Sequence, residues 1–166
     1  PDQVPINELT RQEPINPYGF SKLVIERALL DYAKAYGLQS VIFRYFNAAG
    51  AHPDGLIGER HDPETHLIPL AIAAALGHGP ELKVFGDDYD TPDGTCIRDY
   101  IHVADISQAH ILGLEHLMRG GTTDVFNIGT ESGNSVKQVI SAIEAVSGKT
   151  VPYTVTARRV GDPARL

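Results

Sequence analysis

Several features that would narrow the function are scarce or missing in this chain of 166 residues. It has a single cysteine, Cys96, which excludes an internal disulfide and fits a reducing compartment such as the cytoplasm. Lys and Arg number 14 against 21 Asp and Glu, a formal charge of -7. Nucleic acids and anionic membranes select basic faces, so this balance argues against a general binder of either, though not against a small phosphorylated ligand.

Long apolar runs and a glycine-rich turn are missing as well. No stretch has the length of a membrane-spanning helix or the pattern of a signal peptide, so we expect no membrane association. The chain also lacks the G-x-G-x-x-G and G-x-x-G-x-x-G turns with which a doubly wound nucleotide-binding sheet opens. Either the protein is not of that kind, or the first half of such a fold is absent.

Periodicity and turn residues predict alternating helices and strands. Asn16 can cap a helix that starts at Pro17 and stops at Gly37. The run "SVIFRYF" predicts a buried strand over 40–46, followed by the loop "NAAGAHPDG". Strands alternating with helices imply right-handed crossovers and a mostly parallel sheet. The other predicted elements are helices over 66–77, 104–120 and 135–147 and strands over 81–86, 97–103, 124–129 and 151–159.

The stretch "NPYGFSK" places Tyr18 and Lys22 four residues apart, on one face of the first predicted helix. A free tyrosine, with a pKa near 10, is a poor base at neutral pH, but a neighbouring ammonium and a cationic nicotinamide ring favour the phenolate. Such a pair can act as an acid/base unit for hydride transfer. Taken alone, the spacing favours the simpler interpretation of a packed ring beside a solvated lysine.

Further segments of the sequence favour the catalytic interpretation of Tyr18 and Lys22. They are "FRYFNAAGAHPDG", "HLIPL", "LKVFGDDYDTPDGTCIRDYIHVADISQAH", "FNIGTESGNSV" and "ARRVGDP". With "NPYGFSK" they resemble the UDP-glucose 4-epimerases of the extended short-chain dehydrogenase/reductase family over essentially the whole chain, and "DYDTPDGTCIRDYIHV" is the most specific part. The match begins just after the family's catalytic serine or threonine. The resemblance therefore implies the C-terminal portion of such an enzyme, with the glycine-rich dinucleotide-binding half upstream of Pro1.

The resemblance implies an α/β fold: the C-terminal part of a doubly wound Rossmann-like fold with a small α/β substrate-binding portion. Residues 1–166 would form one piece, in which 17–64 and 97–148 continue the Rossmann-like part and 66–96 and 149–166 contribute to substrate binding. It also implies NAD as cofactor, a UDP-sugar as substrate and a cytoplasmic location. The intact parent would be a homodimer, and the truncated chain, with an unprotected sheet edge or face, would form swapped or higher oligomers.

The resemblance also assigns roles to residues. Tyr18 would take the proton of the sugar 4-hydroxyl while a hydride passes to NAD; the 4-keto sugar then turns over and the hydride returns to its other face. Lys22 would hold the nicotinamide ribose and tune Tyr18. Tyr45 and Phe46 would line the nicotinamide and sugar side, with strand-end packing as the alternative for one of them. The implied substrate-binding residues are Phe46, Asn47, His66, Leu67, Lys83, Val84, Phe85, Arg98, Tyr100, Arg159 and Asp162.

Several of these assignments have simpler alternatives. Segment 83–85 would meet the uracil, Arg98 and Arg159 would pair with the diphosphate, and Asp162 would accept a hydrogen bond from a ribose hydroxyl. Without the resemblance, however, Arg98 beside Asp99 could be a surface ion pair and Arg159 a solvated charge. The sequence alone leaves these alternatives for Arg98 and Arg159 open.

Other chemistry-bearing residues are set aside. His61 and His66 in "ERHDPETH" are five residues apart, unlike the i, i+4 pair of a helical zinc site, and we predict no metal. Cys96 has no positioned base nearby in sequence, so we predict no nucleophilic role for it. Leu166 falls near the family position that limits the bulk of the sugar 2-substituent, but the chain stops there.

Three functions are consistent with the sequence. The first is the interconversion of UDP-glucose and UDP-galactose in the intact parent. The second is a related UDP-pentose or UDP-N-acetylhexosamine 4-epimerase. The third is a UDP-sugar-binding fragment without catalysis, or a stable proteolytic remnant, since half the fold and one catalytic residue would be absent.

Overall fold

The structure, a computed structural model, describes residues 4–166, so residues 1–3 of the predicted single piece lie outside the described range. Within that range, helices and strands alternate as the sequence predicts, and no helix combines the length and apolarity needed to cross a bilayer. The helices are α1 (Pro17–Tyr36), α2 (Leu67–Leu76), α3 (Val103–Met118) and α4 (Val136–Ser147). The strands are β1 (Val41–Tyr45), β2 (Asn47–Ala49), β3 (Leu82–Phe85), β4 (Ile97–Arg98), β5 (Tyr100–His102), β6 (Asp124–Ile128), β7 (Asn134–Ser135) and β8 (Tyr153–Thr156).

The ends of α1 follow the predicted capping residues. The Asn16 side-chain oxygen accepts a hydrogen bond from the Gly19 N–H at 2.8 Å, and Pro17 takes the first helical position. Gly37 ends the helix in the left-handed region, at φ 71°, and its N–H donates to the Ala33 carbonyl. The predicted bounds of this helix are confirmed.

Strand pairing is mostly parallel, as predicted, but it takes the form of separate pairs. β1 pairs with β6, β2 with β5, and β3 with β8, all parallel, while β4 pairs with β7 antiparallel. The longest ladder runs from Val41 opposite Asp124 to Tyr45 opposite Ile128. In the described range the strands thus form four two-stranded sheets rather than the one sheet expected from the sequence.

Three predicted boundaries are wrong because long-range pairing overrides the local pattern. The segment after β1 begins with strand β2 rather than a loop, and β7 lies inside the predicted polar turn before α4. The predicted strand over 97–103 is two strands that separate at Asp99. There the Asp99 N–H donates to the Leu166 carbonyl at 3.2 Å, and the Asp99 carbonyl accepts from the Asn47 N–H at 3.0 Å. The chain therefore changes partners at this residue.

The hydrophobic core lies where α2 and α4 pack together over β3. Small side chains on α2 allow the close approach of α4, and β-branched side chains fill the space beneath them. The Ser135 side chain and Gln138 form a capping box that fixes the start of α4. The buried members of this core are Ala71, Ala74, Leu82, Val84, Val136, Ile140 and Val151.

The apolar sides of α1 and α3 do not take part in this core. Apolar residues at helical spacing predicted both helices correctly, yet many of those side chains are exposed to solvent. Exposed apolar surface on this scale is typical of a face that another element or molecule covers. The exposed residues are Tyr18, Phe20, Val24, Ile25, Tyr32 and Tyr36 on α1 and Ile111, Leu112, Leu114 and Met118 on α3.

A buried ion pair joins α1 to the first strand. Glu26 is only 7% exposed, and its carboxylate accepts hydrogen bonds from two nitrogens of the Arg44 guanidinium and from the Gln12 amide. Arg44 also donates to the Glu8 carbonyl at 2.9 Å, which attaches the N-terminal segment to the same pair. Hydrogen bonding to Arg44 holds the pKa of Glu26 below its ordinary range, against the opposing effect of burial.

We expect Glu26→Gln to lower the free energy of unfolding by about 1–3 kcal/mol at pH 7, because the partly buried guanidinium of Arg44 loses its charged partner. A depressed carboxyl pKa gives stability that is present above the unfolded value near 4.5 and is lost as the pH falls through the lower folded value. The variant should therefore show a flatter loss of stability in acid. Urea unfolding measured from pH 7 down to about pH 3 tests both effects.

Glu13→Gln is the matched control. Glu13 pairs with Arg11 at 2.9 Å, but both side chains are largely exposed, so its removal should change the unfolding free energy by less than about 1 kcal/mol. Equal losses in the two variants would contradict a special contribution from the pair between Glu26 and Arg44.

Candidate functional site

A cavity of about 660 Å³ lies beside the α2–α4 core. Its walls come from β2, the loop before α2, the start of α2, β3, the β4–β5 segment and the loop after β8. Ten of the eleven substrate-binding residues predicted from the sequence line it. They are Asn47, His66, Leu67, Lys83, Val84, Phe85, Arg98, Tyr100, Arg159 and Asp162.

One wall of the cavity combines an aromatic ring with a guanidinium group. The guanidinium carbon of Arg159 lies 3.9 Å from the centroid of the Phe85 ring, within cation–π range. Val84 beneath it is almost completely buried, which holds β3 in place. Arg159 is exposed to solvent, and its head group stacks on the Phe85 ring at the cavity wall.

A second arginine is fixed at the same cavity. The Arg98 side chain is 11% exposed, and its Nη2 lies 3.4 Å from Oδ1 of Asp162. Its Nη1 also donates to the Ile97 carbonyl at 2.8 Å. A largely buried guanidinium with one distant carboxylate keeps donors available for an anionic ligand, and its planar fork suits phosphate oxygens.

Strand alternation decides which side chains of the 96–100 segment reach the cavity. Cys96, Arg98 and Tyr100 all line it, at the spacing of two that places side chains on one side of an extended chain. Asp99 lies on the other side, where its carboxylate accepts from the N–H and the hydroxyl of Thr130 at 2.8 and 2.6 Å. The alternative of a surface ion pair between Arg98 and Asp99 is therefore wrong.

Burial sets the protonation of two groups in this wall. It raises the pKa of Tyr100 to about 12, so at neutral pH the phenol is a hydrogen-bond donor and not a base. Burial likewise raises the pKa of the Cys96 thiol, against the opposing charge of Arg98. A protonated thiol is a weak nucleophile, which agrees with the prediction that Cys96 has no nucleophilic role.

The loop before α2 brings acidic groups and an imidazole to the rim of the cavity. His66 Nδ1 lies 2.8 Å from Oε1 of Glu64 and also 2.8 Å from Oε1 of Glu59. The Glu64 oxygen accepts in addition from the N–H groups of Thr65 and His66, and these backbone bonds hold its pKa below the ordinary range. His66 and Glu59 line the cavity, so a titratable and an acidic group stand beside the two arginines.

The predicted catalytic and cofactor residues lie apart from this cavity. Tyr18 and Lys22 are on the exposed side of α1, where the Lys22 ammonium lies 5.0 Å from the Tyr18 ring centroid and Tyr18 is 72% exposed. Tyr45 is half exposed at the end of β1. The structure thus brings Tyr18 to Lys22, but among the described residues it does not bring either to the cavity wall.

Phe46 is the predicted substrate residue that faces elsewhere. It lines a second cavity of about 460 Å³, together with Asp99, Asn127 and Leu166. Because Phe46 follows β1 and precedes β2, its side chain points away from that of Asn47. The sequence places both in one site, whereas the structure assigns them to different cavities, and the substrate role of Phe46 stays a prediction.

The sequence also missed several residues that line the main cavity. Glu59 and Thr65 lie in its rim, while Leu82 and Val136 contribute apolar surface from β3 and the first turn of α4. Period-two spacing from Arg98 could have identified Cys96. Nothing local in the sequence indicates Val136, which reaches the cavity only because α4 packs on α2.

Parallel strand pairs between helices, with a cavity whose polar residues include two arginines, define an α/β protein with a cavity of the size and lining of a small-molecule site. A family model described as the NAD dependent epimerase/dehydratase family matches residues 1–129. The chain belongs to this family.

Individual relatives agree with that membership. A UDP-glucose 4-epimerase of Rhizobium leguminosarum bv. trifolii is 54% identical over 166 residues, which are 100% of this chain and 51% of that protein. The crystal structure of a UDP-glucose 4-epimerase from Brucella ovis in complex with NAD superposes with a TM-score of 0.95 at 54% identity, over 99% of this chain and 50% of that one.

A UDP-glucose-4-epimerase from Stenotrophomonas maltophila, with bound NAD and formylated UDP-arabinopyranose, gives a TM-score of 0.94 at 42% identity, over 99% of this chain and 50% of that one. The predicted Rossmann-like α/β fold and the resemblance to UDP-glucose 4-epimerases are confirmed. The chain spans about half the length of the curated relatives it matches.

Proposed function

We propose that this chain supplies the UDP-sugar site of an NAD-dependent UDP-hexose 4-epimerase that interconverts UDP-glucose and UDP-galactose. The observation that carries the proposal is that ten residues assigned to the nucleotide sugar, from segments far apart in sequence, line one cavity. A role in galactose metabolism and a cytoplasmic location belong to the same proposal. The cytoplasmic location is supported by the single cysteine, Cys96, because a chain without an internal disulfide fits a reducing compartment.

In this proposal the cavity holds the nucleotide by complementary surfaces. The Phe85 ring offers an apolar face to the uracil, a place that the Arg159 guanidinium covers in the present structure. On binding, Arg159 leaves that face for the diphosphate, where Arg98 is already fixed by Asp162. Tyr100, protonated at neutral pH, donates a hydrogen bond toward the ligand.

Proton transfer is assigned to the pair on α1. The cofactor in this proposal is NAD, which would supply a reversible hydride acceptor for C4 of the sugar and would be held beside Tyr18 and Lys22. The Tyr18 oxygen takes the proton of the 4-hydroxyl, and the nearby Lys22 ammonium can donate hydrogen bonds to ribose hydroxyls. The exposed, donor-bearing face formed by Tyr18 and Lys22 fits a hydroxyl-rich cofactor, and the half-exposed Tyr45 at the end of β1 is assigned to the same cofactor.

Two alternatives have observations in their favour. A UDP-sugar-binding role without catalysis is supported by the separation of Tyr18 from the cavity and by the chain's span of about half its relatives' length. A related UDP-pentose or UDP-N-acetylhexosamine 4-epimerase is supported by the relative with bound formylated UDP-arabinopyranose. Calorimetric titration of the chain with UDP and, separately, with NAD distinguishes the first alternative: UDP binding without NAD binding would leave a substrate half-site.

Arg159→Ala should weaken UDP binding by about 10–100-fold, because a charged hydrogen bond to the diphosphate contributes about 1.5–3 kcal/mol. The measurement is the dissociation constant for UDP by calorimetry at moderate salt. Uridine, which has no phosphate, should lose no affinity in the variant, because its binding needs no contact with Arg159 and the substitution uncovers the Phe85 ring.

Arg158→Ala is the control from the adjacent position. Arg158 stacks on Tyr89 at 4.2 Å and pairs with Asp88 at 2.6 Å, and it does not line the cavity. Its loss should leave the UDP affinity nearly unchanged. If both variants lose UDP affinity equally, a general loss of positive charge, and not a built phosphate contact, explains the effect.

Tyr18→Phe should abolish turnover while leaving the affinity for UDP-glucose nearly intact, because only the proton-transfer step is lost. The experiment uses a protein that contains this chain and epimerises UDP-glucose. The conservative change keeps the ring and its contact with Lys22, so folding is not at stake. A parallel loss of substrate binding would mean that Tyr18 is structural.

We expect this chain to self-associate through the exposed apolar sides of α1 and α3, as homodimers or larger species. Leu114→Lys, in the middle of the α3 surface, should shift the chain toward monomers in multi-angle light scattering. Val146→Lys on α4, at an even more exposed apolar position, serves as the control and should have no such effect. A monomer at every concentration tested would refute self-association.

A further inference from the structure

The loop between β2 and α2 gathers two imidazoles and a carboxylate that the proposed epimerase chemistry does not use as a set. One potential ligand atom from each of His61, Glu64 and His66 lies within 4.8 Å of one from each of the others. The two rings meet edge-on, with centroids 5.2 Å apart. The five-residue spacing of His61 and His66 argues against a metal site on a helix. It does not argue against a site in this loop, where the two rings come together.

Hydrogen bonds fix which ring nitrogens remain for a metal. His61 Nδ1 lies 2.7 Å from the Pro63 carbonyl, which can only accept, so Nδ1 carries the proton and Nε2 has the free lone pair. The Pro63 carbonyl thus orients the His61 ring, as a carbonyl on the other ring nitrogen characteristically does for metal-binding histidines. His66 Nδ1 lies 2.8 Å from carboxylate oxygens of Glu59 and Glu64, so an ion bound by Glu64 lies on this side of the ring and takes Nδ1 as the His66 ligand atom.

The charges in this loop also favour a cation. Glu59 and Glu64 converge on a single imidazole nitrogen, so two carboxylates share one proton donor. Like charges brought this close are stabilised by a positive ion between or beside them. His61 and His66 are exposed and Glu64 is half buried, so an ion can enter and water can complete its coordination.

We propose that the 59–66 loop binds a divalent transition-metal ion of the Zn²⁺ class through His61, Glu64 and His66. Two imidazole nitrogens and one carboxylate oxygen form a ligand set that Zn²⁺ accepts, with water in the fourth position. Glu59 is a second carboxylate beside His66 Nδ1 and adds negative charge next to the ion. Mg²⁺ and Ca²⁺ prefer all-oxygen sites and bind this set poorly. The proposal concerns the loop alone and does not depend on the assignment of the cavity.

The test is calorimetric titration of the whole chain, purified without a histidine tag, with ZnCl₂. We expect one saturable site, and His61→Ala should weaken it by at least about 10-fold, the lower end of what disturbing even an orienting partner costs. His61 does not line the main cavity, so UDP affinity should stay the same in this variant. His78→Ala, which removes an exposed histidine outside the loop, is the control and should bind Zn²⁺ like the parent chain.

A second readout reports the ligand set directly. Co²⁺ in place of Zn²⁺ should give visible absorption bands in the parent chain and in His78→Ala, and lose them in His61→Ala and Glu64→Gln. Circular dichroism confirms that the variants are folded. Absence of saturable Zn²⁺ binding, equal binding by His61→Ala, or Mg²⁺ binding as tight as Zn²⁺ would each overturn the proposal.

Discussion

The buried carboxylate and backbone of Asp99 hold together the segments on which the cavity depends. Its side chain accepts two hydrogen bonds from Thr130, its N–H donates to the Leu166 carbonyl, and its own carbonyl accepts from the Asn47 N–H. One residue thus connects β2, the turn between β6 and β7, and the end of the chain. A buried carboxylate is stable only when it is hydrogen-bonded. The segment that contains Asp99 and the three segments that it contacts are therefore held together through this residue.

The position of Asp99 also determines the chemistry of the cavity wall. With Asp99 directed to Thr130, the alternation of an extended chain directs Arg98 and Tyr100 to the opposite side, into the cavity. There, removal from water keeps Tyr100 protonated, and Arg98 meets Asp162 rather than its sequence neighbour. The cavity wall formed by Arg98 and Tyr100 is therefore rich in hydrogen-bond donors because the buried Asp99 between them faces away from the cavity.

Local signals predicted the elements, and long-range contacts decided the rest. Asn16, Gly37 and the capping box at Ser135 are short-range devices, and the helices they bound were predicted almost to the residue. Strand β2 was missed because three residues become a strand only through pairing with β5. In the site, the resemblance to the family supplied the residues of the main cavity, but not the outward turn of Phe46 or the approach of His61 to His66, because both depend on how loops fold in space.

The two parts of the proposed function, ligand binding and proton transfer, depend on different parts of the structure. The cavity stands on a core that this chain buries by itself: Val84, Val136 and Ile140 pack between β3, α2 and α4. Tyr18 and Lys22, in contrast, sit on a helix whose buried anchor is the pair between Glu26 and Arg44 and whose apolar side faces solvent. In the proposed function, binding of a nucleotide sugar would need only the first structure, whereas proton transfer would need both in register. The proposal therefore separates ligand recognition from catalysis, and the packing of this chain by itself supports the recognition part.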